Sequence, residues 1–196
     1  MPQLTLFEAS GELLADDSRG AISYTPRLVD AATADAWFTE LRSGVQWRSA
    51  RRVMYDREVD VPRLIGHFRL DPPPRNAPAA ILHALRLVTD RFAVPFNSVG
   101  LNLYRDGRDS VAPHNDHLSE LREGFPIALV SLGAARKMTI RAKANPARVI
   151  NVNLQSGSLL LMDFETQLHY THAVPKTAQR VGERISLAFR VKPDGV

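Results

Sequence analysis

From Ser98 onward the chain is punctuated at close intervals by turn residues, and this spacing constrains its fold more than any other feature. Residues 99–104, 127–132, 137–141, 148–153, 158–162, 169–174 and 184–191 each read as a short strand. Gly107, Gly124, Gly133, Asn145-Pro146, Gly157 and Gly182 fall in the gaps. Seven short strands so closely spaced predict an antiparallel sandwich or jelly roll. Upstream the pattern is helical. Asp30 is placed to cap a helix running to about Leu41, with Ala31, Ala32 and Ala34 favouring it. Asp71-Pro72-Pro73-Pro74 is a rigid stop. Ile81, Leu85, Val88 and Phe92 then line one face of a second helix, which Pro95 ends. The expected fold class is α+β, mainly β, with the N-terminal helices packed on one sheet of a jelly roll. Residues 1–20 read as a tail, because Asp16, Asp17, Ser18, Arg19 and Gly20 form a polar break. Residues 21–196 read as a single domain.

At 196 residues the chain has room for one domain with a sizeable core. It has no cysteine, which excludes disulfides and thiolate metal sites and leaves His and carboxylates as ligands. No apolar run approaches the roughly 20 residues that span a bilayer. The N-terminus lacks a basic-then-apolar signal pattern, so a cytoplasmic protein, monomeric and without membrane attachment, is expected. The net charge of +4 is concentrated. Between Arg42 and Arg75 there are eight arginines, no lysine and four acids, an imbalance equal to the whole excess. Arg forks onto phosphate and stacks on flat rings. Trp47, Tyr55 and Phe68 are interleaved with the arginines, as on a nucleic-acid surface. A solvated, salt-bridged hairpin is the competing reading.

His114-Asn115-Asp116 followed by a later His has the form of a two-His, one-carboxylate face on a metal. Such a face leaves open positions suited to a ferrous ion that holds a co-substrate and O2 together. His172 and His169 compete for the third position. They are an odd number apart and point to opposite strand faces, so one of them reaches the metal. In the segment 184–190, Ile185, Leu187 and Phe189 share one face, and Arg184, Ser186, Ala188 and Arg190 the other. Two arginines on an inward face are costly if left unpaired. Their Cα atoms, roughly 20 Å apart along a strand, leave a gap about the length of a five-carbon dicarboxylic acid. Two strand-end arginines reaching solvent is the alternative. Asn102 and Tyr104 also share a strand face and can hydrogen-bond a carboxylate beside an Arg.

These residues resemble the AlkB family of Fe(II)/2-oxoglutarate-dependent dioxygenases, in particular the group that repairs alkylated DNA. The likeness covers about Phe96 to Arg190 and extends weakly back to Trp47. It rests on Asn102-Leu103-Tyr104-Arg105-Asp106-Gly107, His114-Asn115-Asp116, the stretch 126–134, the stretch 157–162, Thr166-Gln167, His172-Ala173-Val174-Pro175-Lys176 and the stretch 184–190. The resemblance implies a double-stranded β-helix over 98–191, preceded by helices and a nucleotide-recognition region over 21–97. It implies that His114, Asp116 and His172 hold Fe(II), with His172 preferred to His169. Asn102, Tyr104, Arg184, Ser186 and Arg190 would line the 2-oxoglutarate site, Arg184 and Tyr104 at its distal carboxylate and Arg190 near the chelating end. The implied reaction is oxidative demethylation of bases such as N1-methyladenine and N3-methylcytosine in DNA, single- or double-stranded. It consumes O2 and 2-oxoglutarate and releases succinate, CO2 and formaldehyde.

Such chemistry needs the damaged base flipped out of the helix. Phe68 is the candidate for stacking on that base, or else a core strand residue. Arg51, Arg52 and Tyr55 are candidates for holding the strand. The chain departs from the family pattern twice. His117 and Leu118 stand where base-acting members carry acids, with an acid only at Glu120. His67 stands where bacterial relatives often carry Trp. The alternative reading is therefore an oxygenase acting on RNA, protein or a small molecule, or a nucleic-acid-binding protein without turnover. Finally, Gln3-Leu4-Thr5-Leu6-Phe7 resembles the peptide by which bacterial repair and replication proteins dock on the polymerase sliding clamp. Gln3, Leu4, Leu6 and Phe7 would be the anchors; a first strand or docking arm is the alternative.

Overall fold

The computed structural model describes residues 11–54 and 57–193, with side chains outside 50–60. Twelve strands form two antiparallel sheets among the described residues. In chain order they are β1 (Glu12–Asp17), β2 (Gly20–Thr25), β3 (Arg48–Met54), β4 (Arg57–Arg69), β5 (Ser98–Tyr104), β6 (Val111–His114), β7 (Ile127–Gly133), β8 (Arg136–Ala142), β9 (Val149–Leu154), β10 (Ser158–Met162), β11 (Tyr170–Val174) and β12 (Arg184–Arg190). The helices are α1 (Ala31–Gly44), α2 (Ala79–Phe92) and the short α3 (Phe164–His169). The larger sheet runs β1-β2-β10-β7-β12-β5-β4-β3, and the smaller β6-β11-β8-β9. This is the mainly β, jelly-roll arrangement the strand spacing predicts.

The core has two layers, and side-chain alternation along three strands builds both. Val99, Leu101 and Leu103 of β5, Ala128, Val130 and Leu132 of β7, and Ile185, Leu187 and Phe189 of β12 face α1 and α2. The helices answer with Ala34, Trp37 and Leu41 from α1, and Ala80, Ile81, Ala84 and Val88 from α2. Burying a side chain such as Leu187 or Phe189 contributes roughly 1.5–3 kcal/mol. The alternate residues of β7 and β12 face the smaller sheet, where Ile127, Leu129 and Ala188 meet Met138, Ile140, Tyr170 and Val174. The second layer is the one that carries polar residues.

Both helices form where expected. The Asp30 carboxylate accepts the Thr33 backbone N–H at 2.7 Å and starts α1, which runs three residues beyond Leu41. The α2 apolar face packs as predicted, with Ile81 and Val88 fully buried and Leu85 and Phe92 against the same cluster.

Two expectations need correction. Residues 12–20 are not tail. They form β1 and the turn into β2, and β2 pairs with β10. The polar break is the hairpin turn itself: Gly20 has φ +94°, and Asp17 accepts hydrogen bonds from the backbone and side chain of Arg19. The segment 169–174 is also not all strand, because His169 closes α3 and β11 starts at Tyr170.

Candidate active site

Register places the two histidines. β11 pairs with β6 so that His172 lies directly opposite His114, and the imidazole centroids are 4.4 Å apart. Asp116 follows two residues beyond the end of β6. The ligand atoms of His114, Asp116 and His172 all lie within 4.8 Å of one another. His114 Nδ1 is 2.9 Å from Ala112 O. A carbonyl only accepts, so Nδ1 carries the proton and Nε2 of the neutral ring keeps its lone pair for a metal. His169, the rival for the third position, is exposed at the end of α3 and outside this group.

The protonation states suit metal binding. Burial, reinforced by His114, pushes the His172 pKa down to about 4. Burial also lowers that of His114. For Asp116, burial raises the pKa, but the Arg190 guanidinium and the two histidines outweigh it and hold the carboxyl below its ordinary range. Two neutral imidazoles and one carboxylate are thus present at neutral pH, the state a divalent cation requires of its ligands. Arg190 Nε donates to Asp116 Oδ2 at 2.7 Å.

A second polar cluster lies between the sheets. Arg184 is 1% exposed, and its Nη2 donates to Ser131 Oγ at 2.8 Å. Its guanidinium carbon lies 5.0 Å from the Tyr104 ring centroid. Nε and Nη1 are buried and find no hydrogen-bond partner among the described residues. A buried cation with two unpartnered donor nitrogens is costly, and a carboxylate is an anion that a guanidinium binds well. Asn102 faces Ser186 across the β5–β12 ladder, and its Nδ2 donates to Ser186 Oγ at 3.4 Å. All five expected co-substrate residues therefore lie on the inward faces of β5 and β12.

Three further residues here were missed in the sequence. Ser131 lies opposite Ser186 in β7 and partners Arg184. Arg136 is 2% exposed, 5.6 Å from the Tyr104 ring, and donates to Asp106 O, Asp109 O and Pro175 O. Its signal was legible, since Arg136, Met138 and Ile140 alternate onto the buried face of β8. Arg63, from the arginine-rich stretch, donates from Nε to Asn102 Oδ1 at 2.7 Å.

A cleft of ≈ 1090 Å³ opens over the His–Asp–His group, its lining including Arg63, His67, His114, Asp116, Arg190 and Lys192. His117 also lines it. Phe68 does not take the stacking position expected of it. Alternation along β4 turns His67 toward the cleft, where Nε2 lies 3.2 Å from Ser98 Oγ. Phe68 packs instead against the core cluster beneath the helices. The side chains of Arg51, Arg52 and Tyr55 lie outside the described residues, as do Gln3, Leu4, Leu6 and Phe7.

A family model described as "2OG-Fe(II) oxygenase superfamily" matches residues 21–190. Human DNA oxidative demethylase ALKBH2 is 39% identical over 191 residues, covering 86% of this chain and 72% of that protein. The chain belongs to the AlkB family of 2OG-Fe(II) oxygenases. Bovine ALKBH2 is 32% identical, covering 83% of this chain and 66% of that protein. Bovine alpha-ketoglutarate-dependent dioxygenase alkB homolog 3 is 31% identical, covering 86% and 65%. The chain thus spans about two thirds of the length of these bovine relatives. The solved structure of OsALKBH1 has the same fold, with a TM-score of 0.59 at 12% identity over 91% of this chain and 99% of that one.

The family's cofactors, Fe(II), 2-oxoglutarate and O2, fit the residues present. The donor set of two neutral imidazoles and a carboxylate is that of a ferrous site with open positions. The unused N–H groups of Arg184 fit the carboxylate of a dicarboxylic acid.

Proposed function

We propose that this protein oxidatively demethylates alkylated bases in DNA, such as N1-methyladenine and N3-methylcytosine. The observation that carries the reading is the His114–Asp116–His172 group beneath a cleft whose lining includes Arg63, Arg141, Lys176 and Lys192. Cationic groups around such an opening favour a polyanion, and the cleft takes a base flipped from its stack. Fe(II) held by the three ligands, with 2-oxoglutarate and O2, supplies the oxidising power, and the products are succinate, CO2 and formaldehyde. Arg184 with Tyr104 would take the distal carboxylate of 2-oxoglutarate, the guanidinium held by Ser131. Asn102 and Ser186, opposite each other in the β5–β12 ladder, would line the co-substrate. Arg190 keeps Asp116 ionised and oriented.

A second reading keeps the chemistry and changes the substrate to RNA, protein or a small molecule. The state of the cleft acids favours it. Position 117 is His and position 118 is Leu, and Glu120 is engaged by Lys192 Nζ at 3.0 Å. Docking of Gln3–Phe7 on a sliding clamp, a cytoplasmic location and a monomeric state are further parts of the proposal, supported by the sequence alone.

The experiment is mass spectrometry of methylated oligonucleotides incubated with the protein, Fe(II), ascorbate and 2-oxoglutarate, with succinate read in parallel. Loss of the methyl mass, absent in a His172→Ala control, supports base demethylation. Succinate release without methyl loss supports the second reading. Neither product from folded, iron-loaded protein removes both.

A further inference from the structure

One side-chain amide joins the two halves of the metal-ligand group. Gln167 lies in α3, five residues before His172, and is 1% exposed. Its Oε1 accepts the backbone N–H of Asp116 at 3.0 Å. Its Nε2 donates to Thr166 Oγ1 at 3.1 Å, and that hydroxyl donates to Asp163 O at 2.6 Å. The amide orientation follows, because a backbone N–H needs an acceptor and a hydroxyl already donating elsewhere accepts.

The platform behind Gln167 is held from two sides. Lys143 donates from Nζ to Gln167 O and from its backbone N–H to His169 O, both at 2.9 Å. Asp163 exchanges hydrogen bonds with Ala21, accepting at Oδ2 at 2.9 Å and donating its N–H at 3.0 Å. A Cβ added at Gly20 would lie 3.0 Å from Thr166 Cγ2, so the β1–β2 turn sits directly against α3. Asp116, in contrast, lies past the end of β6, where the ladder to β11 has stopped. Its backbone is held by Gln167 and its carboxylate by Arg190.

We propose that Gln167 is a positioning residue for the metal centre. It fixes the backbone of Asp116 to the same short helix that leads into the His172 strand, and so sets the separation of the two ligands. The proposal rests on reading His114, Asp116 and His172 as the ligands. Gln167 itself touches neither metal nor substrate. Filling a loop amide with no effect on the metal is the plainer role, and affinity separates the two.

The test is Co(II) affinity, followed by visible absorption, in the full chain, with the melting temperature of each metal-free protein. Gln167→Met keeps length and removes the acceptor; Gln167→Glu keeps the acceptor. The expected result is that Gln167→Met weakens Co(II) binding about tenfold or more, in the range found when partners of metal ligands are removed. Gln167→Glu binds at least as tightly as wild type. If Gln167→Met does not fold, Gln167→Asn, too short to reach the Asp116 N–H, replaces it with the same expectation. Wild-type Co(II) affinity in Gln167→Met overturns the proposal, as does equal weakening in Gln167→Glu, which keeps the acceptor for the Asp116 N–H. A His172→Ala protein that binds Co(II) as tightly as wild type overturns the ligand assignment itself, and the proposal with it.

Discussion

Arg190 Nε and Asp116 Oδ2 are 2.7 Å apart, so the last residue of β12 holds the carboxylate of the His–Asp–His group. The sequence reading sends Arg190 to the chelating end of the co-substrate. The structure places it beside the His–Asp–His group and commits its Nε to Asp116. Arg190→Met removes the charge that outweighs burial at Asp116, so the Asp116 pKa rises. Protons then compete with metal at higher pH. The midpoint for Co(II) release on acidification is expected to move upward, with about tenfold weaker binding at pH 7. Absorbance-monitored pH titration of the two proteins measures it.

Arg184 is expected to separate folding from co-substrate binding. Its Nε and Nη1 are buried and find no partner among the described residues, so replacing it with a similar-sized apolar residue leaves stability unchanged or raises it. The same replacement, Arg184→Met, deprives a carboxylate of its cation. The KM for 2-oxoglutarate is expected to rise at least about thirtyfold, the lower end for truncating a buried charge pair. Thermal melts without 2-oxoglutarate and succinate assays across its concentration check the two halves.

The metal-free protein is expected to lose stability in mild acid. His172 is held neutral, its pKa lowered to about 4 from 6.5. Between these values the unfolded chain binds a proton that the folded chain refuses, so unfolding is favoured as pH falls. The contribution is fully present above pH 6.5, declines through the interval and is lost below about 4. Its size is roughly 3 kcal/mol. Urea unfolding from pH 4 to 7 should show this slope in wild type and a shallower one in His172→Gln.

Phe68 and His67 are expected to fail differently. Phe68 packs against the helix-side core, so Phe68→Ala costs roughly 2–4 kcal/mol of stability. Phe68→Leu leaves the KM for a methylated oligonucleotide within about twofold. His67 faces the cleft, so His67→Ala changes that KM with little change in melting temperature. Parallel melts and oligonucleotide kinetics distinguish the two residues.

Periodicity and residue chemistry made much of this protein readable before folding. The two-residue alternation of the segment 184–190 places Ile185, Leu187 and Phe189 toward the helices and Arg184, Ser186 and Arg190 toward the interior, as observed. The Asp30 cap and the α2 stripe are equally local. So is the His-x-Asp pair, because its spacing along one strand end is a property of the backbone. What tertiary structure alone decided is which distant groups meet. His172 rather than His169 faces His114 because α3 ends at His169 and resets the strand before pairing with β6. Arg190 is drawn to Asp116, Ser131 to Arg184 and Gln167 to the Asp116 backbone by the pairing and packing of distant segments, across separations of 74, 53 and 51 residues. Of the two readings of Phe68, base-stacking or core, the packed structure selects the core and leaves the cleft to His67. Local pattern determines which side chains share a face; only the paired and packed sheets determine what that face meets.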